Sequence, residues 1–581
     1  MFIGIDVGGT HTDGVLIREE NSEYKVDSTE KVLTDHDNLK NSILELTDRL
    51  TADIENKNIR RLVLSTTLVT NLIYENKYDP VGLLLIPGPG LNPDYFKYGE
   101  ENIILDGYID HRGKIVREPE TEEIRKALET FEEKEIKNLA VVSKFSVRNP
   151  SLEEKVKEVI AEEDYNFKNI SLGYKLSGSL NFHRRIITAY FNTAVIGTQK
   201  NFIDSIKSSL KARNIDSELY LLKCDGGTTN LNDSLDIPIE TVNSGPAASI
   251  MGTKLFNKRS KTGIAIDIGG TTTDFGIFIN GDPVFKPRGI EIADHPTLIR
   301  GLFSQSLALG GDSEVHVENG KIKIGPQRKG AAAALGGPAP TPTDALLILG
   351  KIENDKEQNL DFDSKRAEKA LESLKEEIDE ANYKSYLQNN QQLNPEITAK
   401  IIVDKIAQMI KDKVNSIIKS LKNKPVYTIN ELLESPEINA EYLIGIGGPA
   451  ASITKIIADK LNLEAIVPEH SKVANAVGAA LAHPTIETTV RADTARGWLD
   501  IVEADIHRKI KDKNFDLEDA RELAKKWTLK RFSESSYPVE IISEESFNVI
   551  RNYRTAGKII EIKAQIKPGH IADLKGGKLI I

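Results

Sequence analysis

One cysteine in 581 residues, Cys224, excludes an internal disulfide framework, a four-thiolate metal centre and a CxxC redox pair within one chain. Basic excess is missing as well: 76 Lys and Arg stand against 87 Asp and Glu, a formal net charge of -11. Such a surface repels nucleic-acid backbones and anionic membrane surfaces, so neither is expected as the main partner. A small anionic ligand would need its own local positive field or a metal. No stretch approaches the ~20 apolar residues of a membrane helix, and the N-terminus reaches the charged Asp6 without a basic leader. A soluble chain of the reducing cytoplasm is the expectation. The length exceeds what one ordinary core organises, so about two to four domains are expected.

What is present is a phrase written twice. "IGIDVGGTHTDGVLI" occupies residues 3–17 and "IAIDIGGTTTDFGIF" residues 264–278. Each is an apolar, β-branched run, a turn of small residues and a second apolar run, which reads as strand, tight turn, strand. Paired glycines, Gly8 with Gly9 and Gly269 with Gly270, let backbone N–H groups converge into an anion nest. Thr10, Thr12, Thr271 and Thr272 add hydroxyl donors. Asp6 and Asp13, like Asp267 and Asp274, stand at the two mouths of their hairpins and can face one ligand. Asp6 and Asp267 can hold Mg2+ or its waters, while Asp13 or Asp274 positions the attacking group. A single copy would read equally as an ordinary glycine hairpin. Two copies so far apart predict two homologous halves, each giving one phosphate hairpin to a shared cleft.

The phrase resembles the actin-like ATPase superfamily. Within it, the chain is most similar to the hydantoinase A / 5-oxoprolinase / acetone carboxylase β-subunit family. The carrying segments are "STTLVTNLI" with Thr66, Thr67 and Asn71, "DGYIDHRGKIV", "NPSLEEKVKE", and "RRIITAYFNTAV" with Arg185, Thr188 and Asn192. "CDGGTTN", "NSGPAAS", "GGDSEVHVENGKIKIGP" and "PTPTDALLILGKI" follow in the family's order, so the resemblance runs over residues 1 to 482. Departures are as plain. The family's Pro-Ala-Cys-Tyr segment is replaced by "GGPAPTPTD", and its Gly-Gly-Ala-Gly-Pro-x-His becomes "GIGGPAAS", without the His. "VGLLLIPGPGLNPDYF" also departs from the family's Thr-x-Gly-Phe pattern near the substrate side.

The resemblance implies an α/β fold: two related actin-like (ribonuclease H-like) ATPase domains around a nucleotide cleft, plus a small α+β C-terminal domain. The expected boundaries are 1–185, 186–485 with a helical insertion at 351–425, and 486–581. Gly445, Gly447 and Gly448 would form a turn against the adenosine. The implied activity is that of an ATP-dependent hydrolase subunit of the hydantoinase or oxoprolinase type. It would use Mg2+ and ATP to activate a cyclic amide or related carbonyl compound, with a hydantoinase-B-like partner subunit. The alternative is an ATP-driven activase or reactivase of a cofactor enzyme, although the Cys pair of iron–sulfur activases is missing. "DVGGTHT" also looks like a sugar-kinase phosphate loop, against which the ordered family motifs weigh.

Other segments have plainer readings. Ile402, Ile406, Met409, Ile410, Val414, Ile417 and Leu421 form one helical stripe, expected to pack on the second domain. "SKVANAVGAALA" at 471–482 has the small residues of a helix packed tightly near a hinge, with a helix beside the nucleotide as the alternative; the resemblance implies both at once, the helix returning the chain to the first domain. Past residue 485, Leu517, Ala520, Ala524 and Trp527 share a helix face opened by Asp516 and Asp519, with strands at "TTVRADT", "VEIIS" and "KIIEIKAQI". Cys224 reads as a packed thiol. His11 reads equally as a ligand contact or a polar turn residue, His183 equally as a cleft residue or an interdomain contact. Asp344 reads as a helix cap, with a ligand role as the alternative.

Overall fold

The computed structural model describes residues 1–580 apart from 21–22, 55–57, 91, 258, 355–360, 388–390, 423–438, 513, 532–536 and 573–578. Its organising feature is a sheet built twice. In the first, strand Phe2–Val7 pairs antiparallel with His11–Glu20 and parallel with Arg61–Ser65, which runs parallel to Glu218–Leu222. In the second, Gly263–Ile268 pairs antiparallel with Thr273–Ile279 and parallel with Tyr442–Ile446, which runs parallel to Glu464–Pro468. Strand order and direction match, so the two halves are copies of one α/β plan, as the resemblance implies. The central strands are apolar because they are covered on both faces: every residue of Phe2–Val7 is buried.

Between strands of the first sheet the chain inserts a four-stranded parallel sheet, in the order Asn169–Leu172, Asn138–Ser143, Val81–Ile86, Glu101–Ile104. The division expected between residues 185 and 186 falls inside the long helix Phe182–Ala212, and the first sheet is completed by Glu218–Leu222 and Thr228–Asn230. The cause is the register: Leu219, Tyr220 and Leu221 pair with Leu62, Val63 and Leu64. The insertion contributes helices Ser364–Glu372 and Pro395–Lys422. Ile402, Ile406, Ile410, Val414 and Ile417 are buried in the core that also holds Ile264, Ile266 and Phe275, with Met409 and Leu421 half-buried against it. Residues 423–425 of that expected insertion lie outside the described residues.

Beyond residue 485 the chain forms a five-stranded antiparallel sheet, with Glu487–Asp493 between Trp498–Ile501 and Arg554–Ile566. Helix Leu517–Arg531 packs on it through Ala520 and Ala524, with Leu517 and Trp527 half-buried beside them. Among the described residues no helix is long and apolar enough to cross a membrane.

The short helix Ala474–Leu481 joins the two copies. It lies against strand Phe2–Val7 of the first half and helix Ser244–Phe256 of the second. The approach is so close that a Cβ on Gly4 would sit 2.0 Å from the Ala476 carbonyl oxygen, and one on Gly252 2.1 Å from that of Ala474. Small residues at 471–482 therefore let one helix touch both halves at backbone distance.

Candidate functional site

The two hairpin turns close in the same way. Gly8 N–H donates to the His11 carbonyl at 3.0 Å and Gly269 N–H to that of Thr272 at 2.9 Å. Register then fixes the acids: Asp6 lies opposite Asp13 and Asp267 opposite Asp274. The turn tips meet, with Thr10 Oγ1 and Thr271 Oγ1 3.4 Å apart. One side chain ties the halves at the carboxylates: Asn475, on the joining helix, donates its amide to Asp6 Oδ2 at 3.2 Å and to Asp267 Oδ2 at 2.9 Å. Ser249 Oγ adds a bond to Asp267 Oδ2 at 2.6 Å.

Burial dominates the electrostatics here. It pushes the Asp6 and Asp274 carboxyls each up to about 7, and it raises Asp267 as well. Neighbouring carboxylates act in the same direction on all three. A cluster of this kind favours an added cation. Asp6 is only 5% exposed, and its buried Oδ1 has no hydrogen-bond partner. No group of three or more His, Cys, Asp or Glu side chains among the described residues forms a metal cage. Mg2+ needs none, because it keeps several waters and binds through one or two carboxylates plus substrate phosphates. Asp6 and Asp267, one from each half, fit that donor set.

The second acids differ. Asp13 Oδ1 is paired with Lys31 Nζ at 2.9 Å. Asp274 has no such cation among the described residues; its Oδ1 accepts from the Ser306 hydroxyl. His11 is held well below its usual range, at about 4, by burial and then by Lys31, which makes it a neutral imidazole near pH 7. Thr12 is fully buried, its hydroxyl 3.0 Å from that of Thr34, which in turn donates to the Gly8 carbonyl; it braces the turn from behind. Gly9, Thr10, Thr271 and Thr272 keep exposed surface at the cleft.

The predicted glycines divide likewise. Gly445 packs strand on helix, since a Cβ there would lie 1.9 Å from Thr454 Oγ1. Gly447 takes φ +96° with a would-be Cβ 2.7 Å from Asp267 Oδ1, so this turn backs directly onto Asp267. Gly448 borders open space ahead of helix Ala450–Leu461.

Several contacts escape sequence reasoning: Asn475, Ser249, Lys31 and the loop at 310–312. That loop closes over the second turn, Gly311 N–H donating to the Gly269 carbonyl and Asp312 N–H to that of Gly270, while Asp312 pairs with Arg328 at 3.0 Å. The only advance sign was "GGDSEV", whose glycines permit the approach. Other motif residues are architectural. Ser244 Oγ donates to the Thr66 carbonyl and accepts from Thr66 N–H. Arg185 is buried towards Ser146 and Glu153, Thr188 accepts from Leu298 N–H, and Asn192 donates to Ser171 and to the Asp236 carbonyl. Asp344, wholly buried, completes a capping box with Thr341. Cys224 is buried, its thiol donating to the Arg300 carbonyl and pushed up in pKa by burial, as a packed thiol should be.

With this geometry in view, the comparisons are specific. The hydantoinase/oxoprolinase N-terminal region matches residues 2–164 and the hydantoinase/oxoprolinase domain residues 185–488. An uncharacterized protein of Methanocaldococcus jannaschii is 27% identical over 424 residues, 65% of this chain and 61% of that protein. The 5-oxoprolinase of Saccharomyces cerevisiae is 23% identical over 558 residues, 83% of this chain and 41% of that protein. The chain thus spans about half the length of the curated relatives it matches. The crystal structure of an ATP-dependent caprolactamase from Pseudomonas jessenii superposes with a TM-score of 0.67 over 99% of this chain and 88% of that one, at 16% identity. Its subunit alpha aligns at 23% identity over 60% of this chain and 54% of that subunit.

Proposed function

The chain belongs to the hydantoinase/oxoprolinase family, and from that premise we propose that it uses Mg2+ and ATP to activate the carbonyl oxygen of a cyclic amide or a related compound. The observation that carries the reading is the meeting of two phosphate hairpins at Thr10 and Thr271, with Asn475 bonded to one acid from each. Gly8, Gly9, Thr10, Gly269, Gly270, Thr271 and Thr272 grip the phosphates through backbone N–H groups and hydroxyls. Asp6 and Asp267 would hold Mg2+, which would supply positive charge to offset that of the phosphates. Gly447 and Gly448 face the nucleoside.

Asp274 serves as the base. Its carboxyl, raised to about 7 by burial, is part ionised at neutral pH and so suited to taking up a proton. The amide oxygen bonds to the γ-phosphorus as the β–γ bridging oxygen leaves with ADP, and the amide N–H proton passes to Asp274. The product is an O-phosphorylated imidate, open to attack by water. Asp13, neutralised by Lys31, instead shapes the first turn.

The ring-opening step falls to a hydantoinase-B-like partner subunit. Support comes from the caprolactamase relative being a named subunit alpha and from this chain spanning about half of its relatives. One buried cysteine suits the reducing cytoplasm. The test is ATP hydrolysis by the purified chain with and without hydantoin, 5-oxoproline and caprolactam. Stimulation by an amide is expected. Stimulation by a protein partner with no amide effect would instead favour the activase reading.

A further inference from the structure

Beside the second hairpin lies a cleft of about 250 Å3, below the roughly 300–1,000 Å3 of drug-sized ligand sites and suited to a compact metabolite. Its walls come from elements that already touch the nucleotide cleft. Ser306 donates to Asp274. Asn243 precedes helix Ser244–Phe256, whose Ser249 donates to Asp267. Ser304 and Gln305 lie on the strand paired with Thr273–Ile279. The compartment therefore stands next to the carboxyl assigned as base.

Its lining offers hydroxyl and amide groups together with one ammonium, Lys286. Lys286 is half-buried and makes no ion pair among the described residues. Two acids share the lining, but both Glu291 and Asp294 are exposed, and Glu291 acts on Arg184. A partly desolvated ammonium at a polar cleft, with no counter-ion of its own, recognises an anion. Resting on the proposed function and narrowing it, we infer that this cleft is the acceptor compartment and that Lys286 selects amides bearing a carboxylate over uncharged ones.

The test is calorimetric titration of the full chain, loaded with Mg2+ and the non-hydrolysable analogue AMPPNP, with 5-oxoproline and separately with caprolactam, which lacks a carboxylate. The expected result is at least tenfold tighter binding of 5-oxoproline. Lys286→Met should weaken that binding at least tenfold and leave caprolactam unchanged, and Lys286→Arg should retain most of the preference. Equal affinity for both lactams, a preference that survives Lys286→Met, or binding of neither would overturn the assignment. Parallel ATPase measurements separate the two readings. A chain stimulated equally by charged and uncharged amides keeps its function and loses only the role of Lys286, whereas no stimulation by any amide removes the parent reading.

Discussion

The two hairpins share strand, turn, strand and two acids at matching register, yet their surroundings have pulled them apart. In the first, Lys31 neutralises Asp13, and Thr34 braces the turn from behind. In the second, no cation among the described residues pairs with Asp274, burial raises its carboxyl, and the loop at 310–312 covers the turn. One motif in two unequal environments thus leaves its rear acid paired in one copy and buried beside a hydroxyl in the other, which is the asymmetry the proposed division of roles rests on. The front acids remain alike because both bond Asn475.

The comparison breaks first at the rear acids. Asp274→Asn should lower ATP turnover about 100-fold or more, the scale of losing a general base. Asp13→Asn should cost less than about tenfold, because it removes a charge already paired. Steady-state kinetics on both variants decides it, and equal losses would erase the asymmetry. Next comes the tie between the halves. Asn475→Leu leaves Asp6 and Asp267 each short of a donor, at about 1–3 kcal/mol for a buried group so orphaned. The expected outcomes are a lower melting temperature without nucleotide and a recovery larger than that of the wild type on adding Mg2+ and ATP analogue.

A subtler probe is acidity. Asp274 must be ionised to take a proton, so turnover should fall as pH drops through about 7. The Ser306 bond favours the charged form and holds that value down. Ser306→Ala should therefore move the acidic limb to higher pH in the pH–rate profile, while an unmoved limb would assign it to another group. The smallest effect belongs to Cys224→Ala, which should leave turnover unchanged and cost roughly 1 kcal/mol of stability for a small packed side chain, read by denaturant unfolding.

The hairpins were legible in the sequence because both ends of the geometry are local: a tight turn closed by Gly8 onto His11, and by Gly269 onto Thr272, sets the flanking acids opposite one another. The C-terminal sheet and its helix were legible for the same reason, as period-2 and period-3.6 patterns that do not depend on distant partners. Asn475, Ser249 and Lys31 were not. Each is an ordinary polar residue on a helix or strand, and it becomes significant only when the fold brings it to an acid. The completion of the first sheet was hidden similarly, since whether Glu218–Leu222 closes the first sheet or opens the second is decided by pairing with Arg61–Ser65. Gly445 was legible only in part: its glycine-rich run is local, whereas its close packing against Thr454 appears only in the fold.

Calorimetry with Mg2+ and AMPPNP on the wild type, Asp6→Asn, Asp267→Asn and the double variant reaches the central claim most directly. A shared cleft predicts one nucleotide per chain, at least tenfold weaker binding in either single variant, and a double variant little worse than the singles, because the two acids act as one unit. Two nucleotides per chain, or a hairpin acid whose loss leaves affinity untouched, would contradict it.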